Sequence, residues 1–511
     1  MRDRAIKERY PRVWELFSQL DDGPMHLDNM MRLDAEFARF VESGGARRRG
    51  PGEDGALRRG RAADFDIIYA GGTLSLPHAV LMARRGYRVL VFDRTRVGFV
   101  RREWNVGRDE FAALYTSGLF TPEQAEAMAL RRYDRGLVRW HGGRDLYVEG
   151  VLDVPLDAEA LMSEARDALE EAGGKVQDGW TLTGYRAWAD QVRVRIETDE
   201  GEVQLSARLL VLATGASATR DFDLVCPTAG TVATGYALGD GPREVDPDVG
   251  EVLASTEGIE DGRQLIWELF PGRGREVTTY LFYYHEPRPQ YPGAVLELFE
   301  RYLEKLPSYK RGGGPAEGEG VEIDGVRHLR PVYGLIPAYT RQLNRSVSPC
   351  DRVLAYGDAA AQQSPLTFTG FGSALRHLTR MVDGVDLALK TDQLEQAHLE
   401  QLRAGQINTN ILGRLTLMMT VRPGRPFRDP QTINALLIAA FESMWEMEEE
   451  AIRAFMQDRF SWAEFTRFML GTMNRHPAIF EHVFYVLDWR EVLAFVQDYV
   501  RFGLESGARR V

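Results

Sequence analysis

The run FDIIYA ends in Gly71-Gly72-Thr73-Leu74-Ser75, a helical stretch LPHAVLMARRGY follows, and a second apolar run, RVLVFDR, carries Asp93 and Arg94 at its end. Strand, tight turn, helix and strand in roughly thirty residues form the opening unit of a nucleotide-binding sheet. The chemistry on offer is anion binding. Glycines let the backbone approach a pyrophosphate, the helix start supplies amide donors and a positive dipole end, and an acid about twenty residues on accepts a ribose hydroxyl. Thr73 and Leu76 stand where the G-x-G-x-x-G pattern has its second and third glycines, so on its own the segment also reads as a plain βαβ turn.

A second constellation lies far downstream. Arg352-Val-Leu-Ala-Tyr-Gly357-Asp358-Ala359-Ala360, with Pro365, Gly370, Phe371 and Gly372 beyond it, matches the late flavin motif R-V-x-x-x-G-D-A-A…P…G. There the aspartate accepts a hydrogen bond from a ribityl chain and the next helix start faces the flavin. Leu212-Ala213-Thr214-Gly215 is the strand-end turn found between the two. An ordinary helix cap explains Asp358 only if the other two matches are coincidental. Three pieces in this order point to FAD and not NAD, because NAD enzymes have no need of the late Gly-Asp element.

The elements that must position these residues imply an α/β fold with a Rossmann-like FAD-binding domain split along the chain. Its first part is 64–225, with inserted substrate-domain strands, and its last part is 346–393. Between them, 226–345 reads as a β-rich substrate domain with VTTYLFYY as the clearest strand and KRGGGPAEGEG as an exposed loop. Residues 1–46 read as a helical preface, 47–63 as a glycine- and arginine-rich linker, and 394–511 as an α-helical C-terminal cap.

Composition narrows the partners. The 511 residues are 44% apolar and 27% charged, the balance of a folded protein. With 75 acidic against 63 basic side chains the net charge is −12, which disfavours nucleic acid. Cys226 and Cys350 lack metal-ligand spacing, so no metal site is expected, and two core thiols suit a reducing cytoplasm. Neither a secretion signal nor a membrane span is expected, while peripheral attachment stays open.

Arg102-Glu103-Trp104-Asn105, Trp267-Glu268-Leu-Phe-Pro271, and the block from Gly357 to Gly372 with Arg376-His377-Leu378 resemble the CruA/CruP type of lycopene cyclase and its paralogues. The likeness runs from about Asp66 to near Gly503. It implies a flavin needed in reduced form, with NADPH a candidate reductant; Glu103 reads equally as a chemical group and as one that orients Arg102 towards the flavin. The implied net reaction is an isomerisation: a proton adds to the end of an acyclic carotenoid, the cation closes a ring, and another proton leaves. Such chemistry requires an apolar tunnel, an acid, a base and electron density beside the cation. Ala361 and Phe368 depart from the hydroxylase pattern in this loop.

The resemblance does not transfer the acid, because Tyr280-Leu-Phe-Tyr-Tyr284 holds no carboxylate where other lycopene cyclases carry paired glutamates. Glu268, inside an apolar strand, is the first candidate: burial would raise its pKa and keep a proton available. It reads equally as an edge-strand glutamate paired with Arg263, Arg273 or Arg275. Glu286, beside His285, is second, with a solvated turn before Pro287 as its other reading. Trp267, Phe270, Tyr280, Phe282, Tyr283 and Tyr284 line a polyene tunnel or form sheet core.

Two rival functions remain at this level, a flavin monooxygenase or reductase of an apolar isoprenoid and a noncatalytic carotenoid-binding paralogue. A substrate this apolar is drawn from lipid, so one C-terminal helix should meet the membrane surface. Ile407 to Val421, flanked by Arg414, Arg422, Arg425 and Arg428, fits that expectation.

Overall fold

Continuous apolar runs become strands buried on both faces, and alternating runs become strands with one wet face. The computed structural model describes residues 2–42, 52–54, 62–100, 104–215, 223–287, 295–340, 347–361, 366, 370–403, 407–422, 424–425 and 427–508. It is a mixed α/β architecture with two large sheets and a helical C-terminal region.

The first sheet has the order Gly52–Asp54, Thr181–Ala187, Val192–Thr198, Gly201–Leu212, Phe65–Ala70, Val89–Asp93, Lys175–Asp178. Gly201–Leu212 divides between two neighbourhoods. Its polar front half pairs antiparallel with Val192–Thr198, whereas its apolar end lies parallel to Phe65–Ala70 on one edge and Val353–Ala355 on the other. The late segment thereby enters the same sheet as the first. Gly52–Asp54, inside the expected linker, adds a short parallel strand beside Tyr185–Ala187.

The second sheet runs Val321–Ile323, Val326–Ala338, Leu224–Thr234, Val277–Phe282, Ile266–Pro271, Val249–Ala254, Arg135–Arg139, Asp145–Val148. One face carries Trp267, Leu269, Leu281 and Tyr283 against the helix Val295–Tyr309 and the N-terminal helices. The helical preface is thus part of this domain's packing. Val13 N donates to Glu300 at 2.9 Å and Val295 N to Asp34 at 2.6 Å. The opposite face carries Ile266, Phe270, Phe282 and Tyr284, in one apolar cluster with Ile411, Leu412, Phe441 and Phe465 of the C-terminal helices.

That packing overturns the expectation for Ile407 to Val421. Ile411, Leu412, Leu417, Met418 and Met419 are buried, Arg414 pairs with Asp498 at 2.6 Å and Arg422 with Glu491 at 3.1 Å. The segment is core because the last helix covers it. Among the described residues, no helix is long and apolar enough to cross a membrane.

Candidate functional site

The three sequence motifs meet at the carboxyl ends of the parallel strands, where ligands of such sheets bind. Gly71 has φ +102°, and a Cβ there would lie 2.2 Å from the Ala213 carbonyl oxygen, so the first turn and the Ala213-Thr214-Gly215 turn touch through bare backbone. Ala213 N donates to Ala70 O at 2.8 Å, locking the two strand ends. Gly357, at φ +64°, comes within 3.2 Å of Leu74 by the same measure and brings Asp358 to this end of the sheet.

Asp93 holds the turn together. Its Oδ2 accepts from Gly72 N at 3.1 Å and its Oδ1 from Thr95 N and Oγ1, both at 2.9 Å. A carboxylate has about four acceptor sites, so capacity remains for a ribose hydroxyl. Ser75 is buried and its hydroxyl donates to Gly71 O at 2.7 Å, so it shapes the turn from inside. The helix Leu76–Arg84 starts without a side-chain cap, but Leu76 N donates to Thr73 O at 3.1 Å and Pro77 carries no N–H, so the helix offers an anion the positive end of its dipole and not its first two amides. Thr73 is partly exposed and Arg94 fully so, and Leu76 is buried where the pattern has its third glycine. Behind the turn, Tyr69 bonds the buried His78 at 2.6 Å, and burial holds that imidazole's pKa down to about 4.

Arg352 is engaged by protein groups. It ties Ala189 O, at 2.8 Å, to Asp392, at 3.2 Å, and so fastens the late strand to the meander. Phe371 stacks on Trp104 with ring centroids 4.1 Å apart, at the start of the helix Gly370–Thr391. The buried Glu110 was missed by sequence reasoning. It pairs with Arg376 and accepts from Gly107 N at 2.9 Å, and a Cβ on Gly372 would strike its carboxylate at 2.3 Å. Its only sequence signal, Gly107-x-x-Glu110, is that of a helix cap. Arg102, Glu103, Pro365 and Phe368 lie outside the described residues.

Glu268 stands on the sheet face that meets the C-terminal helices, on a central strand and opposite Tyr280. The edge-strand alternative fails. Arg263 pairs with Glu297 at 2.7 Å, Arg273 with Asp157 at 3.5 Å and Arg275 with Glu317 at 3.0 Å. Among the described residues Glu268 has no hydrogen bond or ion pair, and Tyr133 and Tyr284 lie within electrostatic reach. Its side chain is deeply set among protein atoms and keeps a little accessible surface. Desolvation raises its carboxyl from 4.5 to about 8.

Glu286 belongs elsewhere. His285 bridges to Val225 at the end of the sheet, and six residues of extended chain put Glu286 on the order of 20 Å from Tyr280. The two glutamates do not form one site. The aromatics divide by strand alternation: Phe270, Tyr280, Phe282 and Tyr284 share the Glu268 side, whereas Trp267 and Tyr283 pack into the opposite core.

Fold and turn geometry together are those of a Rossmann-type α/β dinucleotide-binding architecture, and solved flavin-dependent enzymes share that fold. The chain is similar to a geranylgeranyl bacteriochlorophyll reductase-like protein from Thermoplasma acidophilum, with TM-score 0.57 and 11% identity over 85% of this chain and 100% of that one. It is similar to halogenase PltM, with TM-score 0.54 and 12% identity over 86% and 96%. That halogenase has also been solved in complex with phloroglucinol and FAD. A third is p-nitrophenol 4-monooxygenase PnpA from Pseudomonas putida, with TM-score 0.51 and 15% identity over 79% and 98%. No family model and no curated relative matches the sequence.

The donor set fits a dinucleotide. A glycine cradle closed to any Cβ, an uncapped helix start and a carboxylate with spare acceptor sites would hold pyrophosphate and ribose. Gly370 and Gly372 open the helix that would face the ring system.

Proposed function

We propose that this chain is an FAD-dependent enzyme acting on a long apolar isoprenoid, and that its reaction is the redox-neutral cyclisation of an end group of an acyclic carotenoid. The observation that carries the reading is the Glu268 carboxyl, deeply set on a central strand, without an ion pair among the described residues and raised to about 8. A carbon–carbon double bond is a very weak base. Protonating it calls for an acid kept neutral, without a cation beside it and in a medium that does not compete for the proton.

Glu268 donates its proton to the terminal double bond, the neighbouring double bond closes a six-membered ring, and the Glu268 carboxylate left behind is the base to which the proton on the ring carbon next to the cation returns. Atoms and electrons balance with no net redox change. The ring faces of Tyr280, Phe282 and Tyr284 stabilise positive charge on this side of the sheet. Bound in reduced form, with NADPH as the source of reduction, FAD would supply electron density beside the cation. Gly71, Gly72, Asp93 and Asp358 would hold it.

The test is expression in a lycopene-accumulating bacterium followed by pigment analysis, then turnover of lycopene by purified protein under reducing conditions. Cyclic product without stoichiometric use of NADPH or oxygen supports the reading. A reductase or monooxygenase of an apolar isoprenoid is the second reading, favoured by the likeness to a reductase-like protein and a monooxygenase. One NADPH or one oxygen consumed per product would establish it in place of cyclisation.

A further inference from the structure

The last helix, Trp489–Ala508, is fixed on its inner side and bare on its outer side. Asp498 holds Arg414 and Asn410, Tyr499 bonds Thr466 at 2.8 Å, and Phe502 is buried. Outward, Trp489, Leu493, Val496, Val500 and Leu504 form one stripe, each between 48% and 71% exposed. Phe480 and Phe484, more than half exposed, share a face of the preceding helix, Ile479–Val486. A monomer's largest apolar patch is about 300–600 Å², and seven such side chains, with aromatics at roughly 150–250 Å² each, exceed that.

The steps along the stripe are four, three, four and four residues, which departs from the 3.5-residue repeat of a two-stranded coil. With Phe480 and Phe484 of the preceding helix, three aromatics lead into an aliphatic stripe, a composition found at membrane interfaces. Cations without an ion pair among the described residues stand at its rim. Arg490 lies over the Trp489 ring at 5.4 Å, and exposed Arg425 and Arg428 flank Phe427, whose ring packs on Tyr485 of the helix carrying the two phenylalanines.

We propose that this face docks on an anionic bilayer surface, with Phe480, Phe484, Trp489 and the stripe entering the interface and Arg425, Arg428 and Arg490 meeting headgroup phosphates. Docking places the enzyme where its apolar substrate is dissolved, and in that respect rests on the function proposed above.

Flotation of the full chain with vesicles, without substrate, tests docking separately from catalysis. The parent should float with phosphatidylcholine–phosphatidylglycerol vesicles. Replacing Phe484, Trp489, Leu493 and Val500 by serine should lower binding by ~10-fold or more with unchanged circular dichroism, because these side chains touch little else. Arg425→Glu with Arg428→Glu and Arg490→Glu should weaken binding to the anionic vesicles by ~10-fold or more and leave the weaker binding to pure phosphatidylcholine as it was. A parent that floats with neither vesicle, or a serine variant that floats as well as the parent, overturns the proposal. So does a parent dimer in light scattering that the serine variant converts to monomer, since the stripe would then pair with a second copy. A failed flotation leaves pigment analysis and the Glu268 reading untouched.

Discussion

The dinucleotide end of the parallel sheet is built almost wholly from backbone, whereas the Glu268 face of the antiparallel sheet is built from side chains. At the first, Gly71 and Gly72 bring main chain against main chain, and Asp93 works mainly by gripping amides. At the second, one carboxyl stands among rings with no hydrogen-bond partner among the described residues. A backbone site tolerates no added atom. A side-chain site keeps its shape under substitution and loses only its chemistry.

The sharpest break comes at Gly71. Gly71→Val forces a branched side chain into φ +102° with a carbonyl 2.2 Å from its Cβ, so stability should fall by about 3 kcal/mol or more and flavin should be lost. Thermal melts and the visible absorbance of purified protein read both, and a yellow, stable variant would show that the turn is not a cradle. Next is Glu268→Gln, where flavin stays bound while cyclisation falls ~100-fold or more. Product analysis that finds full activity would move the acid elsewhere.

A smaller effect is expected at Asp358, where substitution by alanine should weaken flavin retention about 10-fold on dilution, with the melting temperature little changed. Undiminished retention would remove the late motif from the binding site.

The smallest effect is on pH dependence. The folded Glu268 carboxyl titrates near 8 against 4.5 when free, so the unfolded chain releases its proton first as pH rises. The stability associated with the neutral carboxyl is complete below about 4.5 and is lost as pH climbs through about 8. The residual access of the side chain limits this to on the order of 2 kcal/mol. Glu268→Gln should flatten that decline in melts taken from pH 5 to pH 9, and the same decline in both proteins would deny the shifted titration.

The backbone site was legible because its requirements are residue types at fixed offsets: glycine where φ is positive, an acid at the next strand's end, Gly-Asp after the late strand. Glu110 was not legible, since its partner Arg376 is 266 positions away and its local pattern is that of a cap. For Glu268 the apolar run announced burial, but three arginines lay within seven residues of it, and only the fold could show each engaged elsewhere. Ile407 to Val421 was misread for a related reason. Periodicity tells which face is apolar, but the residues that cover this one, Glu491 and Asp498 with the last helix, come 69 and 84 positions after the arginines they hold.

The strand Gly201–Leu212 has a temporal consequence. Its end must wait for Val353–Ala355 before the sheet is closed, and the glycine turns at Gly71, Gly215 and Gly357 are not all present until then. At about 5–20 residues per second, the interval between synthesis of Gly215 and of Gly357 is roughly 7–28 s. During that interval the nascent chain holds half a cradle and an unpaired strand edge. A cofactor held by all three turns would therefore be loaded only late in biosynthesis, once that edge has been closed.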